Sequence, residues 1–174
     1  MSSDSIFPVA GLPSTGSLIN GNWLEGATRF RVNDKFTGQL VAQVSEATRE
    51  QVALAVRTTK AAVDAGAPPP YERAQVLRRA ATLLDRNRQR FIDIMAAEAG
   101  FTLVDAGVEV DRAMVTLNLS AEEATRITGE MVPFAASPGA HKRMGFTMRF
   151  PVGVVCAITP FNSPLNTVLH KVAP

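Results

Sequence analysis

Apolar side chains recur at two different spacings along this chain, and the change of spacing divides the chain into regions. Between residues 18 and 44, short apolar runs flank two turn signals, Asn20-Gly21 and Thr37-Gly38. An Asn-Gly pair favours a type I′ turn because both central positions of that turn need positive φ. The pattern therefore predicts small antiparallel strands at an edge, preceded by a flexible arm over residues 1–17, which are rich in Ser, Gly and Pro.

A helical spacing of three and four residues begins near Thr48, which forms a capping-box sequence with Gln51. We expect three helices. The first ends before a run of three prolines, the second is rich in arginine and ends at about Ala99, and the third runs from Asp105, as its N-cap, to about Thr128. Their expected core residues are Val52, Val56, Thr59 and Val63, then Ala74, Leu77, Ala81, Leu84, Phe91 and Met95, then Val110, Met114, Leu117, Ala121 and Ala124.

Strand-like patterns return after residue 131. Residues 142–150 alternate large apolar side chains with Gly, Thr and Arg, which predicts a half-buried antiparallel strand. Its apolar face could contact another subunit or pack within the same subunit, and the pattern allows both. Residues 152–159 are apolar without alternation, as in a strand that is buried on both faces of a parallel sheet. This pattern predicts that Cys156 is a core residue.

A helix is expected directly after this buried strand. Ser163-Pro164 supplies an N-cap residue followed by proline at the first helical position, and the helix should cover residues 165–173. Strand, tight loop and helix form the opening half of a βαβ unit, so the predicted fold class is α/β. Because a parallel strand needs neighbouring strands and covering helices, we expect the chain to be the N-terminal piece of a longer protein.

Composition and charge exclude several classes of function. The 174 residues contain 18 Lys and Arg against 16 Asp and Glu, and the net charge of +2 is spread along the chain, so we expect no nucleic-acid partner. No apolar stretch approaches the ~20 residues that span a bilayer, so we expect no membrane partner. The single cysteine favours a reducing compartment, and we expect a cytoplasmic location. Both histidines, His141 and His170, lack nearby ligand-type partners in the sequence, so no metal site is predicted.

The final segment carries the most specific motif in the chain. Residues 151–174 read PVGVVCAITPFNSPLNTVLHKVAP. This segment resembles the signature of the NAD(P)-dependent aldehyde dehydrogenase superfamily, in which a Pro-x-Gly-Val-Val strand leads into Pro-Trp-Asn-Phe-Pro and then into a helix containing Lys-x-Ala-Pro. Other segments that occur in similar order in that family are Ile19-Asn20-Gly21-Asn22-Trp23, Phe36-Thr37-Gly38, the Arg-rich helix, Ala121-Glu122-Glu123-Ala124 and Gly129-Glu130.

The resemblance covers nearly the whole chain from about residue 18, and it implies a fold. We expect edge strands, three helices, a bridging strand and then the first βα unit of a Rossmann-like parallel sheet. Residues 18–130 would be the N-terminal strands and helices of the cofactor-binding domain. Residues 131–150 would be the bridging and oligomerisation region, and residues 151–174 would begin the dinucleotide-binding domain. A homodimer or homotetramer is implied.

By the same resemblance, Asn162 is the asparagine whose side-chain amide helps to hold the carbonyl oxygen of the substrate. The alternative is that Asn162 only satisfies loop backbone. Residues Ile158, Thr159, Pro160 and Phe161 match the turn that passes along the NAD or NADP cofactor in the family.

Two departures from the commonest motif concern the substrate. Phe161 replaces the usual Trp, and Ser163 replaces the second aromatic residue, which opens space and adds a hydroxyl beside Asn162. The resemblance implies a short, sometimes anionic aldehyde as substrate. Arg112 is a candidate partner for that anion, and the alternative for Arg112 is a salt bridge on a helix surface.

The implied activity is oxidation of an aldehyde to a carboxylic acid with NAD or NADP, through a thiohemiacetal on a cysteine. That cysteine, the general base and the glycine-bearing cofactor loop lie further along the chain in the family, and Cys156 does not match the nucleophile. We therefore expect these 174 residues alone to be inactive. Two alternatives stay open: a coenzyme-A-acylating enzyme of the same superfamily, and a non-catalytic binding or assembly module.

Overall fold

The computed structural model describes residues 16–174, so the predicted arm over residues 1–17 lies outside the described residues except for its last two positions. Four strands and five helices follow one another within residues 16–174. They are β1 (Ser17–Ile19), β2 (Asn22–Leu24), β3 (Thr28–Asn33), β4 (Leu40–Glu46), α1 (Arg49–Asp64), α2 (Pro70–Arg86), α3 (Arg88–Ala99), α4 (Leu103–Ala124) and α5 (Asn166–Val172), with a 3₁₀ turn at Phe134–Ala136.

Two short antiparallel hairpins open the fold, as the turn signals predicted. The first joins β1 to β2 through Asn20 and Gly21, which have φ values of 49° and 77°. These positive values are those that a type I′ turn needs. The second hairpin pairs β3 with β4, and Gly38 in its connection has a φ of 72°.

Helix α1 begins at the predicted capping box. The Gln51 backbone N–H donates to the Thr48 hydroxyl at 3.2 Å, and the Thr48 N–H donates to the Gln51 side chain at 2.8 Å. The predicted core face of α1, however, is not buried, because Val52 and Val56 are both more than half exposed. Within residues 16–174, α1 contacts mainly β1, and no described element covers its apolar face.

The predicted second helix is wrong as a single element, because it consists of two helices. α2 and α3 are separated at Asn87, where φ is −106° and ψ is 15°. The Asn87 side-chain amide donates to the Leu83 carbonyl oxygen at 2.8 Å, so a side chain occupies a backbone acceptor at the break. α3 ends at Gly100 in the left-handed conformation, as predicted.

Helix α4 starts three residues earlier than predicted, because its N-cap is Thr102 instead of Asp105. The Asp105 N–H donates to the Thr102 hydroxyl at 3.1 Å. Asp105 therefore occupies the third helical position, where its carboxylate complements the positive end of the helix dipole. α4 ends at Ala124, four residues before the predicted end.

The main core lies where α4 packs against α2 and α3. Ala106, Val110 and Ala113 of α4 are fully buried, and they face Leu84 of α2 and Met95 of α3. Small side chains on α4 let the helices approach closely. The predicted core residues that are buried are Ala74, Ala81, Leu84, Met95, Val110, Leu117, Ala121 and Ala124.

Neither predicted strand near the C-terminus is formed within residues 16–174. Residues 142–150 form one isolated antiparallel bridge, between Phe146 and Met131, with hydrogen bonds to residues 130–132 on either side of it. Residues 151–160 have no strand assignment, and Cys156 is exposed, so its predicted core position is wrong here. A strand needs a neighbour that receives its hydrogen bonds, and no described segment pairs with residues 151–160.

Helix α5 is present, one residue later than predicted at its start. Ser163 does not cap it through its side chain. Instead, the Ser163 carbonyl oxygen accepts from the Thr167 N–H at 3.0 Å. No helix among the described residues has the length and apolar character that crossing a membrane requires.

Candidate functional site

A cavity of about 710 Å³ opens between α4, the loop that precedes α4, and the bend that leads into α5. Three residues singled out from the sequence line it together: Arg112, Asn162 and Ser163. Glu109 and His170 also line this cavity. The fold thus brings the candidate amide and the candidate anion partner to one opening, although they come from distant parts of the chain.

Helix α4 contributes three charged residues to the cavity, Asp105, Glu109 and Arg112. Residues at i and i+3 lie on one side of a helix, and Glu109 and Arg112 have this spacing. Glu109 is only 4% exposed, whereas Arg112 is exposed. Within residues 16–174, the Arg112 guanidinium forms no ion pair, so the alternative of a surface salt bridge is not found there.

Asp111, which precedes Arg112 in the sequence, forms an ion pair with Arg88. Asp111 accepts two hydrogen bonds from Arg88, at 2.5 and 3.0 Å, and these bonds lower the pKa of the Asp111 carboxyl. Arg88 also donates to the Gly107 carbonyl oxygen at 3.1 Å, which ties the start of α3 to α4. The Asp111 carboxylate is therefore paired with Arg88 and not with Arg112.

Asn162 sits on a bend that is held from both sides. Pro160 and Ser163 lie on either side of Phe161 and Asn162. The Thr167 hydroxyl is 2.7 Å from the Ser163 carbonyl oxygen and 3.4 Å from the Pro160 carbonyl oxygen. Pro164 fixes its own φ just beyond Ser163. The Asn162 side chain is exposed at the cavity wall, where its amide can donate to a small molecule.

Buried polar contacts fix the other side of the bend to α4. One carboxylate oxygen of Glu109 accepts from the Ser163 hydroxyl at 2.6 Å and from the Asn166 backbone N–H at 2.9 Å. The Thr116 hydroxyl donates to the side-chain oxygen of Asn166 at 3.0 Å, and Asn166 is 2% exposed. One of these bonds joins α4 to the bend at Ser163, and the other two join α4 to the first residue of α5.

The residues predicted to contact the cofactor lie on the approach to the bend and do not line the cavity. Ile158 and Phe161 are 81% and 70% exposed, Pro160 is exposed, and Thr159 is half-buried. No charged residue occurs between Phe150 and Asn162. This open apolar edge fits contact with the flat ring of a nicotinamide nucleotide, and it offers no charged side chain to a phosphate.

Sequence reasoning missed Glu109, Thr116 and Asn166 as site residues. A signal for Glu109 was present, because it lies in the helical stripe with Ala106 and Val110, where core side chains are expected. A carboxylate in such a stripe needs hydrogen-bond donors from another element. The donors could not be assigned before the position of α5 was known.

Comparison with known proteins identifies the family. The model of the aldehyde dehydrogenase family matches residues 23–174. A relative, the 3-sulfolactaldehyde dehydrogenase of Priestia aryabhattai, is 46% identical over 159 residues, which are 91% of this chain and 33% of the relative. The chain thus spans about a third of the length of the curated relatives that it matches.

Solved structures agree with the family model. A NAD-dependent benzaldehyde dehydrogenase from Corynebacterium glutamicum superposes with a TM-score of 0.82 at 30% identity, over 95% of this chain and 36% of that chain. An NADP-dependent glyceraldehyde-3-phosphate dehydrogenase from Bacillus halodurans, solved with NADP, gives a TM-score of 0.81 at 28% identity, over 90% of this chain and 34% of that chain. This α/β chain therefore belongs to the aldehyde dehydrogenase family and corresponds to its N-terminal portion.

Proposed function

We propose that this chain forms one wall of the substrate site in an NAD(P)-dependent dehydrogenase that oxidises a short, anionic aldehyde to a carboxylic acid. The observation that carries the proposal is the shared cavity, which places the amide of Asn162 and the free guanidinium of Arg112 on the same opening. The nucleophilic cysteine and the general base would come from residues outside this chain.

Asn162 would stabilise the oxygen of the reacting aldehyde. When a nucleophile adds to a carbonyl group, negative charge develops on the oxygen, and an amide N–H that already points to that position stabilises the transition state more than the ground state. One such donor contributes about 2.7–4 kcal/mol. The bonds that hold the bend on either side of Asn162 limit the reorganisation that this contact would cost.

Arg112 would bind the anionic group of the substrate. The names of two relatives, 3-sulfolactaldehyde dehydrogenase and glyceraldehyde-3-phosphate dehydrogenase, describe aldehydes that carry a sulfonate or a phosphate. A guanidinium binds such groups through charge-assisted hydrogen bonds. The Ser163 hydroxyl donates a hydrogen bond to Glu109, so Ser163 would affect substrate choice through the small size of its side chain.

Residues Ile158, Thr159, Pro160 and Phe161 would form the apolar floor for the cofactor. When bound, NAD or NADP accepts the hydride that the aldehyde loses. The exposed side chains of Ile158 and Phe161 would cover one face of the ring and exclude water from it. Other parts of the polypeptide would hold the cofactor phosphates.

The same proposal includes a cytoplasmic homodimer or homotetramer. Its support is the exposed apolar side chains of the segment 142–150, where Met144, Phe146, Met148 and Phe150 are all more than 60% exposed. Apolar surface of this extent is typical of a contact with another protein surface. Analytical ultracentrifugation of the full-length polypeptide that contains this chain measures the subunit number.

The decisive experiment measures aldehyde oxidation by the full-length polypeptide that contains this chain. Asn162→Ala should lower kcat by about 10²–10³, measured as NADH or NADPH formation. The matched control is Asn118→Ala. Asn118 is exposed on α4 and does not line the cavity, and its side-chain amide has no hydrogen-bond partner among the described residues. A normally folded Asn162→Ala protein with unchanged kcat would exclude Asn162 from the reaction.

Two further measurements separate the alternatives. The 174 residues alone should not turn over aldehydes, and robust turnover by them would contradict the proposal. Product analysis distinguishes a carboxylic acid from an acyl-coenzyme-A thioester, which would form only when coenzyme A is supplied. If the full-length polypeptide oxidises neither anionic nor neutral short aldehydes, the alternative of a binding or assembly module is favoured.

A further inference from the structure

Glu109 is a buried carboxylate whose partners are all hydrogen-bond donors without charge. It is 4% exposed, and within residues 16–174 no Lys or Arg forms an ion pair with it. Burying a carboxylate without a cation is costly unless hydrogen bonds compensate it. The acceptor oxygen Oε1 receives two such bonds, from Ser163 and from the Asn166 backbone.

The two donors lie immediately after Asn162, on the short stretch that turns the chain into α5. Ser163 is the next residue along the chain, and Asn166 is the first residue of α5. Glu109 itself sits on α4, which is the most deeply packed helix of the core. A single oxygen atom on a rigid helix therefore holds two points of the segment that carries Asn162.

We propose that Glu109 is a positioning residue, which sets the direction of the Asn162 amide by holding Ser163 and Asn166 on one carboxylate oxygen. This inference rests on the proposed role of Asn162 at the aldehyde oxygen. Geometry of this kind is decisive because a misplacement of about 1 Å can cost about 10²-fold in rate.

The position of the acceptor atom is what matters in this proposal, and the negative charge is not required. Glu109→Gln keeps a carbonyl oxygen at the same distance from α4, and that oxygen can accept both bonds. Glu109→Asp keeps the charge but shortens the side chain by one methylene, so the oxygen no longer reaches both donors. The two variants separate reach from charge, with Glu109→Ala as the full removal.

The test uses the full-length polypeptide that contains this chain. Glu109→Asp and Glu109→Ala should lower kcat by about 10-fold to 10²-fold, with a smaller change in KM, and Glu109→Gln should stay within about threefold of the wild type. Ser163→Ala removes one of the two bonds and should give an intermediate loss. The control is Glu122→Ala, an exposed glutamate on the same helix without a described partner, which should leave kcat unchanged.

A double mutant distinguishes positioning from a general loss of structure. If Glu109 acts through Asn162, adding Glu109→Ala to Asn162→Ala should cause little further loss of kcat. Full multiplication of the two losses would overturn the proposal. So would a Glu109→Asp protein with wild-type kcat, or a Glu109→Gln protein as impaired as Glu109→Ala.

Hydrogen exchange provides a readout that does not depend on activity. Peptides that cover residues 160–167 should exchange faster in Glu109→Asp and Glu109→Ala, and at the wild-type rate in Glu109→Gln. Unchanged exchange in all three variants would refute the positioning role. If the exchange pattern appears but Asn162→Ala leaves kcat unchanged, the proposed function of Asn162 fails while the hydrogen-bonded clamp stands. If Glu109→Ala does not fold, Glu109→Asp and Ser163→Ala decide.

Discussion

The Thr116 hydroxyl on α4 donates a 3.0 Å hydrogen bond to the side-chain oxygen of Asn166 on α5, and both side chains are buried. Next to this bond, Leu117 packs with Leu165 and Leu169 in the main apolar cluster. The contact between α4 and α5 thus combines apolar packing with directional polar bonds. The directional bonds specify the position of α5, and with it the position of the cavity wall, more closely than packing alone.

Thr116→Val should destabilise the chain by about 1–3 kcal/mol, because it leaves the buried Asn166 oxygen without its donor while nearly preserving side-chain shape. Thr116→Ser keeps the hydroxyl and should cost less. Thr82→Val is the matched control, since the Thr82 hydroxyl is on an exposed part of α2 and bonds only to the Arg78 carbonyl oxygen of its own helix. Urea denaturation measures all three variants. Equal stability of Thr116→Val and wild type would show that Asn166 finds another donor.

Arg112→Met should raise KM for an anionic aldehyde in the full-length polypeptide that contains this chain. A hydrogen bond to a charged group contributes about 1.5–3 kcal/mol, so the expected increase is about 10-fold to 10²-fold. KM for a neutral aldehyde of similar size should change little. Arg79→Met removes an equal charge from an exposed position of α2 and tests for effects of net charge alone. Equal increases of KM for both aldehydes would contradict a role of Arg112 in anion binding.

Glu98 gives a prediction about pH. Burial raises the pKa of its carboxyl, and the nearby Lys35 opposes this effect only in part. Because the pKa of Glu98 is higher in the folded than in the unfolded state, the contribution of Glu98 to the free energy of unfolding is present at low pH. This contribution is lost as pH rises through the folded-state pKa. Glu98→Gln should therefore gain stability over the wild type at pH 7 and lose that advantage near pH 4.

Urea denaturation at several pH values tests this difference. The control, Glu122→Gln, makes the same change at an exposed position of α4. A Glu98→Gln protein that is less stable than the wild type at pH 7 would mean that the charged form of Glu98 is favoured by the fold, contrary to the burial effect.

Local signals predicted the elements that depend only on nearby residues. The Asn20-Gly21 turn, the Thr48 capping box and the Gly100 helix end each need only a few neighbouring residues, and each is found where the sequence placed it. The start of α4 was misplaced because Thr102 and Asp105 are both suitable N-cap residues, and their mutual hydrogen bond decides between them.

Features that need a distant partner were harder to predict. The apolar run that contains Cys156 indicates burial but does not name the segment that buries it, and within residues 16–174 no strand pairs with it. In the candidate site, the sequence singled out Asn162, Ser163 and Arg112, and the structure shows that all three line one cavity. Glu109 was missed because its role depends on two donors, Ser163 and Asn166, that are more than fifty residues away in the sequence.

Two glycines should respond to alanine in opposite ways. Gly107 lies inside α4, where an added Cβ would meet its nearest atom at 3.7 Å, so Gly107→Ala should stabilise the chain by about 0.4–1 kcal/mol through the lower entropy of the unfolded state.

At Gly129 the added Cβ would lie 1.6 Å from the Thr147 carbonyl oxygen. Because that neighbour is backbone, Gly129→Ala must push apart the two segments that are joined by the 2.9 Å bond from the Thr147 N–H to the Glu130 carbonyl oxygen. We expect a loss of at least about 1 kcal/mol, measured by urea denaturation, with faster hydrogen exchange near Thr147. A Gly129→Ala protein as stable as Gly107→Ala would mean that the two segments do not approach this closely in solution.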